Sequence, residues 1–212
     1  MRLLLYSLLL GSVANASTIL FSDLGSGGSV YTADQSEIGE QGNGPTLEHA
    51  SLFTVAGSGS FNLTQIDLGV AKDPSFTGTF TISVWTDNGG VPGTELGSWN
   101  MSTTNPPSTC CALATQTGIT GVSLVGGTQY FLVMAPQVPG DSSKVYWQPN
   151  SAGTTHTTLG SVNNGASWIS EPGVKIEAYD VLGDPVSAVP EPATFALMAA
   201  GLVVAFAKRK RV

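Results

Sequence analysis

The sequence has few charged residues, and bases are the scarcest of them. Asp, Glu, Lys and Arg make up 11% of the 212 residues, against ~25% in an average globular domain. Between residues 17 and 186, three lysines and no arginine stand against fourteen carboxylates, a net charge of −11. Nucleic acids and anionic membrane surfaces are bound through basic patches. We therefore expect this region to bind no nucleic acid, whereas cations and neutral polysaccharides are compatible with it.

The chain also lacks the residue clusters that carry most enzyme chemistry. His49 and His156 are the only histidines, and neither belongs to a metal-spaced pair such as H-E-x-x-H. No G-x-S-x-G elbow for a serine nucleophile occurs. We interpret both histidines as surface or half-buried structural residues and expect the protein not to be an enzyme. A secreted hydrolase, whose catalytic carboxylates would be Asp87 together with Glu95 or Asp180, is kept as an alternative function.

No cofactor is predicted. The turn that begins at Asp87 does not complete an EF-hand, because Glu95 comes too early and Pro92 interrupts the loop. A structural calcium site built on Asp87 or Asp23 is left open, because sequence alone does not show which loop oxygens converge.

Only two cysteines are present, and they are adjacent, Cys110 and Cys111. Neighbouring Cα atoms lie ~3.8 Å apart, whereas a disulfide prefers roughly 4.4–6.8 Å. A vicinal disulfide would thus be strained. Intermolecular bridges and two free thiols are the alternatives, and the vicinal bond is favoured in an oxidising compartment.

The region between residues 17 and 186 shows no sustained helical period. Nine to eleven short alternating segments separated by Gly and Pro turns predict an all-β fold, a single antiparallel β-sandwich or jelly roll. Residues 77–86 alternate best, with Phe80, Ile82 and Val84 on one face and Trp85 on the other. In residues 60–70 the alternation slips at Thr64, which predicts a bulge. Residues 34–45 are predicted to be a loop, and residues 122–125 and 129–135 to form a hairpin.

The N-terminus has the layout of a secretory signal peptide, residues 1–16. A basic residue precedes a short apolar run, and Ala14 and Ala16 form the small-x-small cleavage pattern before Ser17. We expect the Sec machinery to export the chain and signal peptidase to leave Ser17 as the mature N-terminus. A retained N-terminal anchor is the alternative.

The C-terminal segment, residues 187–212, combines a Pro-Glu-Pro triplet, an apolar run over residues 193–207 and a basic end. The triplet is Pro190, Glu191 and Pro192, and the basic end is Lys208, Arg209, Lys210 and Arg211. Proline does not continue a helix backwards, the apolar run is predicted to form a transmembrane helix, and the basic end stays cytoplasmic. With fifteen residues against the ~20 of a full span, the run is short. A permanent membrane anchor is the alternative to a removable tail.

This order resembles the PEP-CTERM sorting signal of Gram-negative, biofilm-forming bacteria. The resemblance implies an exosortase-type transpeptidase as partner. It also implies a membrane-bound intermediate held by the tail, and a destination at the cell surface or in the extracellular matrix. Separately, residues 82–96, with Gly127-Thr128-Gln129-Tyr130 downstream, resemble the β-sandwich "choice-of-anchor" domains of bacterial surface proteins, which imply no enzymatic activity.

These observations predict a non-enzymatic surface or matrix protein associated with biofilm exopolysaccharide. The first alternative is a carbohydrate-binding module. Four tryptophans are candidates for a sugar platform, and Trp85 is the preferred one because it lies opposite the predicted core face. The other three are Trp99, Trp147 and Trp168.

Overall fold

The computed structural model describes residues 17–24, 36–40, 46–104, 112–137, 144–150, 157–171 and 177–186. Within these ranges the chain forms thirteen β-strands and no helix. In chain order they are β1 (Thr18–Ser22), β2 (Ser36–Glu40), β3 (Thr46–Thr54), β4 (Ser60–Lys72), β5 (Thr79–Asp87), β6 (Pro92–Ser102), β7 (Ala112–Thr117), β8 (Ser123–Val125), β9 (Gln129–Ala135), β10 (Lys144–Trp147), β11 (Thr158–Ser161), β12 (Ile169–Ser170) and β13 (Tyr179–Pro185).

The strands form one curled antiparallel sheet with two halves. The main path runs β1-β13-β4-β10-β2-β3-β9-β5-β6. The first half runs from β1 to β2 along this path. It also contains β7 and β8, which pair with the edge of β4 opposite to β13. The second half begins at β3, which also pairs with β11, and β11 pairs with β12. The β2–β3 pairing joins the halves. The predicted all-β antiparallel class is thus confirmed, and the halves are hydrogen-bonded into a continuous sheet.

One hydrophobic core lies between the two halves. It takes Leu63, Ile66 and Leu68 from β4, and it takes Ile82 from β5 and Leu132 from β9, all completely buried. Burying a side chain of this size contributes about 1.5–3 kcal/mol. The outer face of the second half is also covered in part, because buried residues of β3, β9 and β11 form a second apolar cluster there.

The two clearest strand predictions are confirmed in detail. In β5, Phe80, Ile82 and Val84 are all inside the main core. In β4, the pairing with β13 steps from Gln65 to Leu63, which leaves Thr64 as the extra residue of a bulge. The slipped alternation therefore indicated the bulge correctly.

Other predictions were wrong. Residues 36–40, predicted to lie in a loop, form β2, whose pairing with β3 and β10 compensates for its polar sequence. The predicted hairpin does not form, because β8 pairs with β4 in the first half whereas β9 pairs with β3 and β5 in the second. The Gly126-Gly127 turn carries the chain across the core, and its amides donate to Gly59 and Val55 carbonyls. The predicted strands did not include β7 or β11.

Candidate functional site

A cleft on the outer face of the second half is the candidate site, and we call it the outer cleft. Its volume is about 360 Å³, within the range of small-ligand sites. The strands β5, β6 and β9 form its floor, and the segment of residues 162–168 between β11 and β12, here called the Trp168 turn, forms one wall. The lining side chains used below are Glu48, Ser83, Trp85, Glu95, Ser98 and Trp168.

Trp85 reaches the outer cleft because β5 alternates. Ile82 and Val84 point into the main core, so Ser83 and Trp85 point outward. The predicted placement of Trp85 opposite the core face is thus confirmed. Its indole Nε1 donates a hydrogen bond to Ser83 Oγ at 2.7 Å, and Phe131 lies opposite it on β9. The ring is half-buried and held in one orientation.

Trp168 approaches the same cleft from the Trp168 turn, which side-chain hydrogen bonds hold in shape. Asn163 Oδ1 accepts from the Ser167 amide at 2.9 Å, and Asn163 Nδ2 donates to Ser167 Oγ at 2.7 Å. Ser161 Oγ accepts from the Gly165 amide at 3.0 Å. Bonds of this local kind fix turns. The turn therefore presents Trp168 on a defined wall.

Gly165 lies between Trp168 and a carboxylate. Its φ of +73° is in the left-handed region that favours glycine. A Cβ at this position would lie 3.3 Å from Glu48 Oε2 and 3.6 Å from Trp168 Cζ2. The absence of a side chain at Gly165 thus leaves room between the ring and the carboxylate.

The electrostatics of the outer cleft are acidic. Glu48 and Glu95 are its charged side chains, and no Lys, Arg or His is among the described residues that line it. Glu48 is only 9% exposed, and burial raises the pKa of its carboxyl above the usual value. Glu95 is exposed on β6. The cleft thus favours neutral or cationic ligands over anionic ones.

A cluster of buried polar side chains around Glu177 lies in the interior, away from the outer cleft. Glu177 is completely buried and accepts hydrogen bonds from Ser36 Oγ at 3.1 Å and Thr158 Oγ1 at 3.4 Å. Burial raises the pKa of Glu177 to about 7 and lowers the pKa of His49 to about 4. His49 Nδ1 lies 3.8 Å from Glu177 and 3.6 Å from Glu171, too far for hydrogen bonds. Both buried groups are thus neutral between these pKa values, and His49 is a buried structural residue rather than a surface or half-buried one.

The aspartates predicted as candidates for a calcium site or for hydrolysis lie in different parts of the structure. Asp87 Oδ1 accepts a hydrogen bond from the Gly90 amide at 2.7 Å, so it shapes the β5–β6 turn. Asp23 accepts from Asn150 Nδ2 at 2.9 Å. Asp180 lies on β13 in the first half, so it does not join Glu95 in the outer cleft. No group of three or more His, Cys, Asp or Glu side chains that could hold a metal occurs in the described part of the chain.

Of the tryptophans considered for a platform, two are brought together and two are not. Trp85 and Trp168 line the outer cleft, Trp147 is completely buried, and Trp99 packs against the main core. Glu48 was not predicted as a site residue. The feature of the sequence that indicates it is the alternation of β3, which places Glu48 on the same outward face as Ala50.

Several predicted features lie outside the described residues. They are Ala14, Ala16, His156, the pair Cys110 and Cys111, the triplet Pro190, Glu191 and Pro192, the apolar run 193–207 and the basic end Lys208, Arg209, Lys210 and Arg211. Ser17, the predicted first mature residue, is described, and its Oγ donates to Asp184 Oδ1 at 3.0 Å. The described ranges contain no helix that is long and apolar enough to cross a membrane.

Comparison with known proteins identifies the C-terminal segment. Residues 188–211 match the family model of the PEP-CTERM protein-sorting motif. The chain therefore carries the PEP-CTERM sorting motif, the signal that exosortases process, and this motif indicates a protein that is exported, transits the membrane and is sorted to the cell surface. No curated protein matches the chain.

Among solved structures, the chain is similar to the cysteine protease and lectin-like domains of Cwp84, a surface layer associated protein of Clostridium difficile. The identity is 13% and the TM-score 0.42, and the match covers 72% of this chain and 36% of that one. The chain thus spans little more than a third of that protein's solved length, and a likeness this weak carries no conclusion about function.

Proposed function

We propose that this protein is a non-enzymatic, exosortase-sorted protein of the cell surface or extracellular matrix of a Gram-negative bacterium. The observation that carries the proposal is the sorting motif over residues 188–211. In this proposal, signal peptidase removes residues 1–16, and the tail holds the protein at the inner membrane until the exosortase acts near Pro190. The curled β-domain, a sandwich joined along one edge, is the part that remains outside the cell.

Intact-mass measurement of the protein recovered from its native host tests this proposal. Membrane and extracellular fractions are measured separately. We expect a species that begins at Ser17 and ends near the triplet Pro190, Glu191 and Pro192, with or without an added group. A species that retains the tail through Val212 outside the cytoplasmic fraction would replace sorting by a permanent anchor. Full-length protein in the cytoplasm would contradict export.

A second function, carbohydrate binding within the exopolysaccharide, is favoured by the outer cleft. Indole faces contact the apolar faces of sugar rings, while hydroxyl groups and carboxylates bind the sugar hydroxyls. Trp85 and Trp168 supply the rings, and Ser83, Ser98 and Glu48 supply the polar groups. We therefore propose that the outer cleft binds the matrix polysaccharide, so that a processed protein without an anchor stays in the biofilm.

A titration of the processed protein with exopolysaccharide from its host, followed by tryptophan fluorescence, tests the binding role. We expect a saturable shift that is lost in Trp168→Ala and kept in Trp99→Phe, which changes a tryptophan that packs against the core. No shift with the host polysaccharide would remove the carbohydrate-binding role and leave the sorting proposal unaffected. Conversion of the polysaccharide to shorter chains would instead favour a hydrolase.

A further inference from the structure

The chemistry of the outer cleft narrows the class of sugar that fits it. The cleft has acidic side chains at two positions, Glu48 and Glu95, and no base among its described lining residues. A glycan rich in uronic acids, phosphates or sulfates would bring like charges together, which costs binding energy. The partner sugar is thus neutral or positively charged.

The burial and hydrogen bonding of Glu48 favour a positively charged sugar over a neutral one. It is nine-tenths buried and lines the cleft, yet its carboxylate makes no hydrogen bond or ion pair with any residue in the described part of the chain. The Glu48 carboxylate opens onto the cleft but is partly desolvated by burial, and the cost of that desolvation falls most when a cationic donor reaches it. An ammonium group supplies both the hydrogen bond and the compensating charge.

The two tryptophans add a matching preference. Aromatic faces attract cations as well as sugar rings, and tryptophan does so most strongly. Gly165 leaves the space between Trp168 and Glu48 Oε2 open, so a group seated there would contact a ring and a carboxylate at the same time. Ser83 and Ser98 add hydroxyl groups along the same floor, which suits a polyhydroxylated ligand better than a peptide.

We propose that the outer cleft binds a polysaccharide segment containing free amino sugars, with the sugar ammonium on Glu48 and the sugar rings against Trp85 and Trp168. This inference rests on the carbohydrate-binding role proposed above and specifies its ligand class. N-acetylation of the same sugar removes the charge and adds bulk at the carboxylate.

Isothermal titration calorimetry with three probes tests the proposal. The protein used is the complete exported domain after removal of the signal peptide and the tail, at mildly acidic pH. The probes are a β-1,4-linked glucosamine tetramer, its fully N-acetylated counterpart and tetralysine. Because a charge-assisted hydrogen bond is gained only with the free amine, we expect the glucosamine tetramer to bind about ten- to a hundredfold more tightly than the acetylated one. Tetralysine, which has the charge without the sugar ring, should bind more weakly than the glucosamine tetramer.

Two matched variants locate the effect. Glu48→Gln keeps the shape of the side chain and removes its charge, and it should abolish the preference for the free amine. Asp184→Asn removes the same charge from β13 in the first half of the sheet, outside the cleft, and should keep the preference. Thermal unfolding of both variants checks that they fold, and the comparison of probes on the unaltered protein stands without them.

Each remaining outcome overturns a defined part of the account. Equal binding of the two tetramers would assign the cleft to neutral glycans and reject the amino-sugar class, while carbohydrate binding would stand. Tighter binding of tetralysine would assign it to a cationic peptide. No binding of any probe would reject the amino-sugar site, and the titration with host polysaccharide would then decide separately whether the protein binds carbohydrate.

Discussion

The two faces of the second half of the sheet carry different tasks. On the inner face, Phe80, Ile82 and Val84 of β5 are completely buried in the main core. On the outer face of the same strand, Trp85 is half-buried and opens onto the outer cleft, where the Glu48 carboxylate accepts no hydrogen bond from the described residues. Because successive side chains of a strand point to opposite faces, one strand supplies core packing on one side and the proposed binding surface on the other. Substitutions on the two faces should therefore separate stability from binding.

The largest expected effect is on the inner face. Ile82→Ala removes buried methyl groups and leaves a cavity, so we expect the free energy of unfolding to fall by about 2–5 kcal/mol. Chemical denaturation followed by fluorescence measures the loss. Affinity for the host polysaccharide should be unchanged under conditions where the variant is folded. A loss of affinity in the folded variant would show that the two faces are coupled.

The buried Glu177 gives a stability effect that depends on pH. Its folded pKa of about 7 lies above the usual 4.5, so between these values the unfolded chain has lost a proton that the folded chain keeps. The contribution of Glu177 to stability therefore falls as pH rises through this window, by up to roughly 3 kcal/mol in total. Glu177→Gln does not titrate, and the hydroxyls of Ser36 and Thr158 can donate to or accept from its amide.

We thus expect Glu177→Gln to gain stability relative to the unaltered protein as pH rises from 4.5 to 7. The measurement is the free energy of unfolding of both proteins across that range. The pKa of His49 is lowered to about 4. Its contribution to stability therefore falls in the opposite direction, as pH falls below 6.5. That trend is present in both proteins and cancels in the difference. A difference that does not vary with pH would show that the pKa of Glu177 is not raised in the folded state.

On the outer face, Trp85→Ala should affect binding more than stability. The ring is half-buried, so we expect a loss of about 1–2 kcal/mol of stability but at least about tenfold weaker binding of the host polysaccharide. Calorimetric titration together with a thermal unfolding curve measures both effects. Trp85→Phe should restore part of the affinity. Unchanged affinity in Trp85→Ala would remove Trp85 from the site.

The smallest expected effect tests the space beside Glu48. Gly165→Ala and Gly89→Ala both place a Cβ at a left-handed residue, with φ of +73° and +70°, which costs about 1 kcal/mol in each case. The Cβ at Gly89 has nothing within 4 Å, whereas the Cβ at Gly165 would lie 3.3 Å from Glu48 Oε2. We therefore expect similar stability losses but weaker glycan binding only in Gly165→Ala. Equal affinities in the two variants would place the ligand away from Gly165.

The sequence predicted local features well and non-local pairings poorly. Alternation in β5 predicted which way Trp85 points, and the phase slip in β4 predicted the bulge at Thr64, because both depend on neighbouring residues. The strand β2 is polar apart from Ile38 and is held by β3 and β10. The false hairpin had the same cause, since the partners of β8 and β9 are distant in sequence.

The outer cleft could be predicted only in part for the same reason. Trp85 was identified from its own strand, but its convergence with Trp168 and Glu48 depends on how β11 pairs with β3 and where the Trp168 turn then runs. The sorting signal was the opposite case. A triplet, an apolar run and a basic end stand in one contiguous segment, and the family match over residues 188–211 confirms the motif.

The most direct test of the central claim is where the processed protein resides in its own host. Unaltered protein and the Trp85→Ala, Trp168→Ala double variant are expressed in the host, and each is quantified in the exopolysaccharide matrix and in the cell-free medium. We predict that both proteins have the same processed mass, that the unaltered protein is held in the matrix, and that the double variant is released into the medium. Equal retention of a correctly processed double variant would contradict the account of the outer cleft as the binding face.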